Sequence, residues 1–511
     1  MSEWTAGYVA DIGYTYGYYS ELNPLRLRLA FLNQGLAFPE VGAACELGFG
    51  QGLSANMHAA ASLVQWHGND FNPAQAGFAQ ELAAAAGAGA QLTDESFAEF
   101  SARTDLPQFD YIGLHGIWSW ISDENRALIV EFIRTRLKVG GVLYISYNTL
   151  PGWAAFAPMR HLLTLHAQVQ GSEGQGIVGR IDGAFEFADK LLEANPGYTR
   201  ANPGVPERFK KVKEQNRHYV AHEYFNRDWE PMHFATLAQW LEPAKLQFAC
   251  SAHILDHVDP LNLTPQQQTL INSTSDVTLR ETTRDFIGNQ QFRRDYWVRG
   301  ARKLSPLEQS EALRAQKVLL TTPRADVTLK VTGMLGSAEM SEAVYTPILD
   351  FLADHKPRTL AQVEQAVRDK GVPFIQVLQA MLVLSGAGHL MAVQDDALIA
   401  KARKHTDKLN AYIMQKARGS HEVGYLASPV SGGAVAVTRF PQLFLVALSQ
   451  GKKQPSDWVP VVWALLQAQG QKLIKDGQAL ETPEENLAEL LSQATAFAQK
   501  QLPILKALMV A

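Results

Sequence analysis

Cysteine is nearly absent from this chain: Cys45 and Cys250 are the only two in 511 residues. Each lies inside an apolar, strand-like run. A disulfide framework and a cysteine-rich zinc site are therefore excluded, and two buried thiols in a reducing compartment are expected. Charge of one sign is missing too. A net charge of −5 offers no electrostatic footprint for nucleic acid or an anionic membrane surface. No apolar run reaches about 18 residues, the length a membrane-crossing helix needs. The opening MSEWTAGYVADIGYTYGYYSEL has neither a basic lead nor an apolar core, so it does not read as a signal peptide and a cytoplasmic location is expected. No H-E-x-x-H spacing accompanies the chemistry-bearing motifs, and no metal is expected.

What is present is a chain long enough for two to four cores. From Val41 to Asn148 strands alternate with helices. Strands are expected over Gly42–Leu47, Val64–Asp70, Ala90–Thr93, Phe109–Leu114 and Val142–Tyr147. Helices are expected over Leu53–Leu63, Pro73–Ala86 and Glu124–Lys138, with Gly140-Gly141 ending the last of these. This alternation predicts an α/β fold, a doubly wound, mostly parallel sheet covered on both faces, with ligands beyond the carboxyl ends of the strands. Residues 151–225 lose the alternation and read as a helical insertion. The sheet pattern returns with a helix at His233–Leu241 and strands at Gln247–Ile254 and Tyr296–Arg299. The expected division is 1–300 for the sheet domain, 301–400 for a winged-helix-like middle domain and 401–511 for a mostly helical C-terminal domain. The helix PFIQVLQAMLVLSG in the middle domain lacks Arg and Lys, which argues for packing rather than DNA reading. The basic residues Lys401, Arg403, Lys404, Lys408, Lys416 and Arg418 read as a solvated helix face.

The stretch CELGFGQGLSAN, residues 45–56, carries the chemistry. Its spacing is G-x-G-x-G at Gly48, Gly50 and Gly52, not the G-x-G-x-x-G of a dinucleotide fold, and no Lys-Ser/Thr follows as in a phosphate-gripping loop. Glu46 stands ahead of the glycines, poorly placed for a diphosphate and well placed for ammonium or hydroxyl donors. In WHGNDFNP, Asp70 ends the second strand, where a carboxylate accepts from both ribose hydroxyls. Asp94 in LTDESF is placed to accept from an adenine amine, with Phe97 offering an apolar face.

E-x-G-x-G-x-G at 46–52, D-x-N-P at 70–73 and the five-strand alternation resemble the class I S-adenosylmethionine-dependent methyltransferases. ELNP at 21–24, HGIWSW at 115–120, SYNTLPGW at 146–153, HEYFNRDWEPMHF at 222–234 and ASPVSGGAVAVTRFPQLFLVAL resemble the members with an appended methyltransferase-regulatory domain. That group includes bacterial protein-lysine methyltransferases acting on outer-membrane proteins. The resemblance implies a Rossmann-like catalytic domain, a helical dimerisation insertion, a middle and a C-terminal domain around an open cleft, and S-adenosylmethionine as cofactor.

The expected cofactor set is Tyr16, Glu46, Gly48, Gly50, Gly52, Asp70, Phe71, Asp94, Ser96, Phe97 and His115. The expected catalytic set is His115, Trp118, Tyr147 and Trp153. Methyl transfer needs positioning more than acid–base machinery. Aromatic rings suit a cationic acceptor, because ring faces attract cations. Tyr8, Tyr14, Tyr16, Tyr18 and Tyr19 before the first helix, and Trp118, Trp120, Tyr147 and Trp153 after strands four and five, form that aromatic rim. His115, at the end of the fourth strand, is a candidate base or a backbone contact. His222 and Glu223 are read mainly as fixing the insertion. The resemblance implies an N-methyltransferase for lysine of a protein substrate, forming a homodimer, and the aromatic rim fits such a cationic acceptor. An O-methyltransferase for a surface sugar or small molecule, and a catalytically silent scaffold, are the alternatives.

Overall fold

A computed structural model describes residues 15–511 of the chain. Tyr8 and Tyr14 of the expected aromatic rim lie outside the described residues. A seven-stranded sheet runs in the order β3-β2-β1-β4-β5-β7-β6. Its strands are β1 (Ala43–Leu47), β2 (Gln65–Asn69), β3 (Gln91–Thr93), β4 (Phe109–Leu114), β5 (Leu137–Asn148), β6 (Leu246–Ser251) and β7 (Phe292–Arg299). The first five are parallel, and β7 lies antiparallel between β5 and β6. The expected α/β class and strand positions are met. This strand order meets the Rossmann-like sheet that the resemblance implies.

Period-two alternation splits the strands between two faces. On β5, Val142 and Tyr144 join one core with Tyr111, Phe31 and Tyr296, while Leu143 and Ile145 join another with Ile112, Phe132 and Trp297. Cys45 and Cys250 are buried free thiols, as expected. One boundary differs from expectation. The helix Asp123–Arg136 stops at Leu137, whose backbone is already extended, and β5 runs through Gly140-Gly141. The glycines absorb a register shift against β4 between Phe109 and Tyr111, with Gly140 at φ +82°. They form an irregularity in a strand, not the end of a helix.

Between β5 and β6 the insertion folds into short helices around its own core of Trp153, Phe156, Phe185, Phe209 and Tyr224. Residues 317–393 form a three-stranded antiparallel sheet with helices. Its strand Lys317–Leu320 pairs antiparallel with Arg358–Thr359 and with Leu390–Val393, and a separate hairpin joins Lys330–Gly333 to Gly336–Glu339. The helix Phe374–Gly386 buries Val377, Leu378, Ala380 and Met381 and serves packing. No helix among the described residues is long and apolar enough to cross a membrane.

The C-terminal residues press against the helix that follows the glycines. Every residue of Leu53–Ala61 is buried. One flank faces the sheet. The other faces the helix Asp396–Lys416 and the hairpin Tyr425–Ser428/Gly433–Ala436. Hydrogen bonds fix the seam. Asn23 Nδ2 donates to the Ser431 carbonyl (3.0 Å), Ala434 N donates to Tyr18 Oη (3.0 Å), and His58 Nδ1 meets the Gly432 carbonyl (3.4 Å). Gln394 Nε2, in a residue 4% exposed, donates to the carbonyls of Ala61 (2.6 Å) and Pro429.

Gln394→Ala strands two buried carbonyls at this seam and is expected to cost about 2 kcal/mol, each lost buried bond being worth roughly 1–3. Denaturant unfolding checks it, and a loss below about 0.5 kcal/mol, the scale of an ordinary surface substitution, would contradict the role of the seam.

Candidate active site

A cleft of ≈ 680 Å³ opens at the carboxyl ends of β1, β2, β4 and β5, roofed by the insertion. Its floor is the glycine loop. Gly48, Gly50 and Gly52 all have positive φ, +68°, +58° and +64°. A side chain is strained in that region, and only glycine enters it freely. Crowding adds to this. A Cβ at Gly48 would come 2.5 Å from Ile117 Cδ1, and one at Gly52 would overlap the Ala79 Cβ. Gly50 has open space on that side and faces the cleft.

Asp70 organises this loop. Its Oδ2 accepts from Gly50 N (2.8 Å) and its Oδ1 from Asn72 N (3.0 Å). The Asn69 carbonyl accepts from Gly48 N (2.8 Å) and Phe49 N (3.2 Å). The end of β2 thus clamps the end of β1. Glu46, 3% exposed, also lines the cleft, and its Oε2 has no hydrogen-bond partner. Burial, with the neighbouring Asp70 charge, raises Glu46 to about 8, and burial raises Asp70 to about 6. Two buried acids this close resist joint ionisation and call for a donor-bearing, cationic guest. An ammonium or hydroxyl group meets that demand, and a diphosphate does not.

Of the expected cofactor residues, Glu46, Gly48, Gly50, Asp70, Phe71, Ser96, Phe97 and His115 all line the cleft. Gly52 sits behind the loop as the left-handed residue that starts the helix. Asp94 is exposed and outside the lining; β3 ends at Thr93 and the chain turns before Ser96 caps the next helix. Tyr16 packs edge-on against Phe78 (5.0 Å) and is also outside the lining, where Thr15, Gly17 and Tyr19 stand instead.

The expected catalytic set divides. His115 lines the cleft, stacked on Tyr19 (3.8 Å between centroids), with Nδ1 2.7 Å from Tyr144 Oη. Burial depresses it to about 4, so the ring is neutral at physiological pH and a weak proton acceptor. This fits a wall better than a general base. Trp153 lines the cleft, with the Arg208 guanidinium 4.1 Å from its ring. Trp118 is fully buried and donates to Met232 Sδ (3.2 Å). Tyr147 is 1% exposed and donates to Asp295 Oδ2 (3.0 Å). Both belong to the core, not to the cleft.

Other lining residues were not singled out by motif. Asn69, Ile117 and Phe292 come from strand ends and their loops, Asn125 comes from the first turn of the helix Asp123–Arg136, and Arg208, Lys211 and Tyr219 come from the insertion. Trp120, two residues past Trp118, takes the place on the rim. His222 and Glu223 line the cleft as well. No group of three or more His, Cys, Asp or Glu among the described residues could hold a metal ion. Two H-x-x-x-H spacings do occur: His218–His222 in the insertion, with His222 on the cleft lining, and His253–His257, remote from the glycine loop, where His257 Nε2 lies 2.8 Å from the Ser251 carbonyl.

Comparison with known proteins was informative along the whole chain. The family model "Predicted methyltransferase regulatory domain" matches residues 216–299. Protein sll1526 of Synechocystis sp. is 41% identical over 507 residues, 98% of this chain and 98% of its own. Protein RP789 of Rickettsia prowazekii is 27% identical over 193 residues, 36% of this chain and 33% of its own. The solved structure of PKMT2 from Rickettsia typhi aligns with a TM-score of 0.68 at 17% identity, covering 98% of this chain and 99% of that one. Its complex with AdoHcy gives 0.67 at 18% identity, covering 98% and 100%. These structural likenesses are likenesses of fold.

The raised Glu46 makes stability depend on pH. Below the ordinary value of 4.5 its carboxyl is protonated whether the chain is folded or not. From 4.5 to about 8 the unfolded chain releases the proton and the folded chain keeps it. Wild type therefore loses stability across that window as pH rises. Glu46→Gln is expected to escape this loss, so the variant gains on wild type in denaturant melts from pH 5 toward pH 8. A constant difference between the two would contradict the buried, protonated Glu46.

Proposed function

The chain belongs to the S-adenosylmethionine-dependent methyltransferases that carry a methyltransferase regulatory domain, and on that premise we propose that it methylates lysine side chains of a protein substrate. When bound, S-adenosylmethionine supplies a methyl group on a sulfonium, which a nucleophile takes in one in-line displacement. The chain's own residues bind and orient. The Glu46 Oε2, buried and without a partner, fits the cofactor's ammonium. Asp70 fits its ribose hydroxyls, and the glycine loop leaves room for backbone contact. Phe71 and Phe97 offer ring faces to a flat base.

The observation that carries the acceptor reading is the composition of the other end of the cleft. Tyr19, Trp120, Trp153, Tyr219, Tyr224 and Phe292 line it, together with the carboxylates of Glu223 and Asp228 and the cations of Arg208 and Lys211, Arg208 lying against the Trp153 ring. Rings suit the aliphatic stem and cationic head of lysine, and carboxylates draw that head in. The amine must then lose its proton to attack. An aromatic, partly dry wall favours the neutral amine, because burial disfavours the charged form. His115 frames the methyl-transfer end without serving as the proton acceptor.

The same proposal includes a cytoplasmic protein organised as a sheet domain to about residue 300, a middle domain to 400 and a C-terminal domain. It also includes a homodimer formed through the insertion, where Leu165 (43% exposed), Val169 (68%) and Phe187 (42%) lie on the surface. Light scattering in solution is expected to give twice the chain mass for wild type and a monomer for Val169→Glu with Phe187→Glu. A monomeric wild type would remove the dimer from the account.

Two measurements test the activity. Asp70→Ala is expected to weaken S-adenosylmethionine binding by about 1.5–3 kcal/mol, the scale of hydrogen bonds to a charged group. Unchanged affinity in calorimetry would remove Asp70 from the site. Trp153→Ala is expected to change cofactor affinity less than about twofold while lowering transfer to protein by about tenfold or more, as loss of acceptor positioning does. Incubation with methyl-labelled cofactor and a lysate, followed by hydrolysis, is expected to place label in methyllysine. Label confined to glycans or small molecules would reject the lysine reading and leave the methyltransferase standing.

A further inference from the structure

A second cavity, ≈ 330 Å³, lies between β6, the start of β7 and the helix Val277–Gly288. Apart from Gln34 and Met334, its lining comes from the segment matched by the regulatory-domain family. Methyl transfer as described above uses none of its side chains. Its buried centre is Arg293, 6% exposed, which donates to Asp285 Oδ1 (2.6 Å), Glu281 Oε2 (3.1 Å) and Asp295 Oδ2 (2.9 Å). Three carboxylates thus surround one guanidinium. Arg280 and Arg284 approach Glu281 at 3.6 and 3.8 Å, and Arg284 also pairs with Asp259. Arg294, at the cavity wall, is held by Glu21 at 2.6 Å.

Asp285 is left short of a partner. It is 2% exposed and lines the cavity, yet its Oδ2 has no hydrogen-bond partner. It also sits in the last turn of its helix, a turn without a basic side chain. The negative end of the helix dipole adds to the carboxylate there instead of opposing it. A buried carboxylate oxygen with no donor costs stability until a donor or a cation reaches it. Burial accordingly pushes Asp285 up, and Asp295 to about 6.

We propose that this cavity is a binding site for a small organic ammonium ion, anchored by the free oxygen of Asp285. The guest must bring N–H donors, because an unpaired acceptor is what the site presents. It must also be small, because the cavity has less than half the volume of the cleft. The two share a boundary in the chain: Gln290 lines this cavity and Gln291 lines the cleft. The Gln290 carbonyl accepts from Gly152 N (2.9 Å), next to Trp153. A guest here would touch the strand-entry segment that shapes the acceptor end.

The test uses the full chain, butylammonium as probe and tetramethylammonium, which has no N–H, as control, at constant ionic strength. Calorimetry is expected to show saturable butylammonium binding to wild type and none of tetramethylammonium. Asp285→Asn is expected to weaken binding by about tenfold or more, the scale of one lost charged hydrogen bond. Met334→Trp, which narrows the cavity without touching the ion cluster, is expected to do the same and covers the case in which Asp285→Asn fails to fold. Trp153→Ala is expected to leave binding intact. The proposal falls if wild type shows no saturable binding, or if the control binds equally. It also falls if Trp153→Ala abolishes binding while Met334→Trp and Asp285→Asn retain it, since the probe would then occupy the acceptor end of the cleft.

Discussion

The hydrogen bond from Gly50 N to Asp70 Oδ2, at 2.8 Å, joins the two strand ends on which the site rests. It requires a glycine backbone at positive φ on one side and a buried carboxylate on the other. Once that carboxylate is in place, Glu46 becomes the second acid of a dry pair and keeps its proton. The cleft floor is consequently a surface that waits for donors and positive charge. A cofactor with an ammonium, ribose hydroxyls and a sulfonium supplies all of these.

The floor is rigid because it is packed from both sides. The helix after the glycines has no exposed residue, since the C-terminal hairpin covers the flank that a smaller enzyme would leave to solvent. The insertion does the complementary work above, closing over the strand ends with Trp153, Arg208 and Tyr219. The added segments thus bear directly on the sheet domain, one against the helix that follows the glycine loop and one over the cleft. Methyl transfer needs little chemical machinery and accurate placement, and the arrangement of these layers answers to that need.

Much of this was legible in the sequence, for reasons that can be stated residue by residue. Apolar runs broken by Gly, Asn and Pro marked the strands, and E-x-G-x-G-x-G with Asp70 marked the floor of the cleft, because local backbone demands write themselves into local residues. Tyr147 was placed at the acceptor, but strand residues alternate. Ser146 accepts from Gly116 N and Asn148 lines the cleft, so Tyr147 between them points to the other face and reaches Asp295. Trp118 and Trp120 are both aromatic, and only the turn between them decides which is core and which is rim. Asp94 lies outside the cleft lining because β3 is three residues long and the chain turns at once, leaving the side chain exposed. The full burial of Leu53–Ala61 depends on contacts some 340 residues away, which no local pattern encodes.

The central claim is that the cofactor's ammonium seats on a Glu46 that is protonated until the ligand arrives. Calorimetry of S-adenosylmethionine binding near pH 7, repeated in buffers of different ionisation enthalpy, reads proton exchange directly. The account predicts release of about one proton on binding, because Glu46 must ionise to hold the ammonium, and loss of that release in Glu46→Gln. Tight binding with no proton released, or release undiminished in the variant, would contradict it.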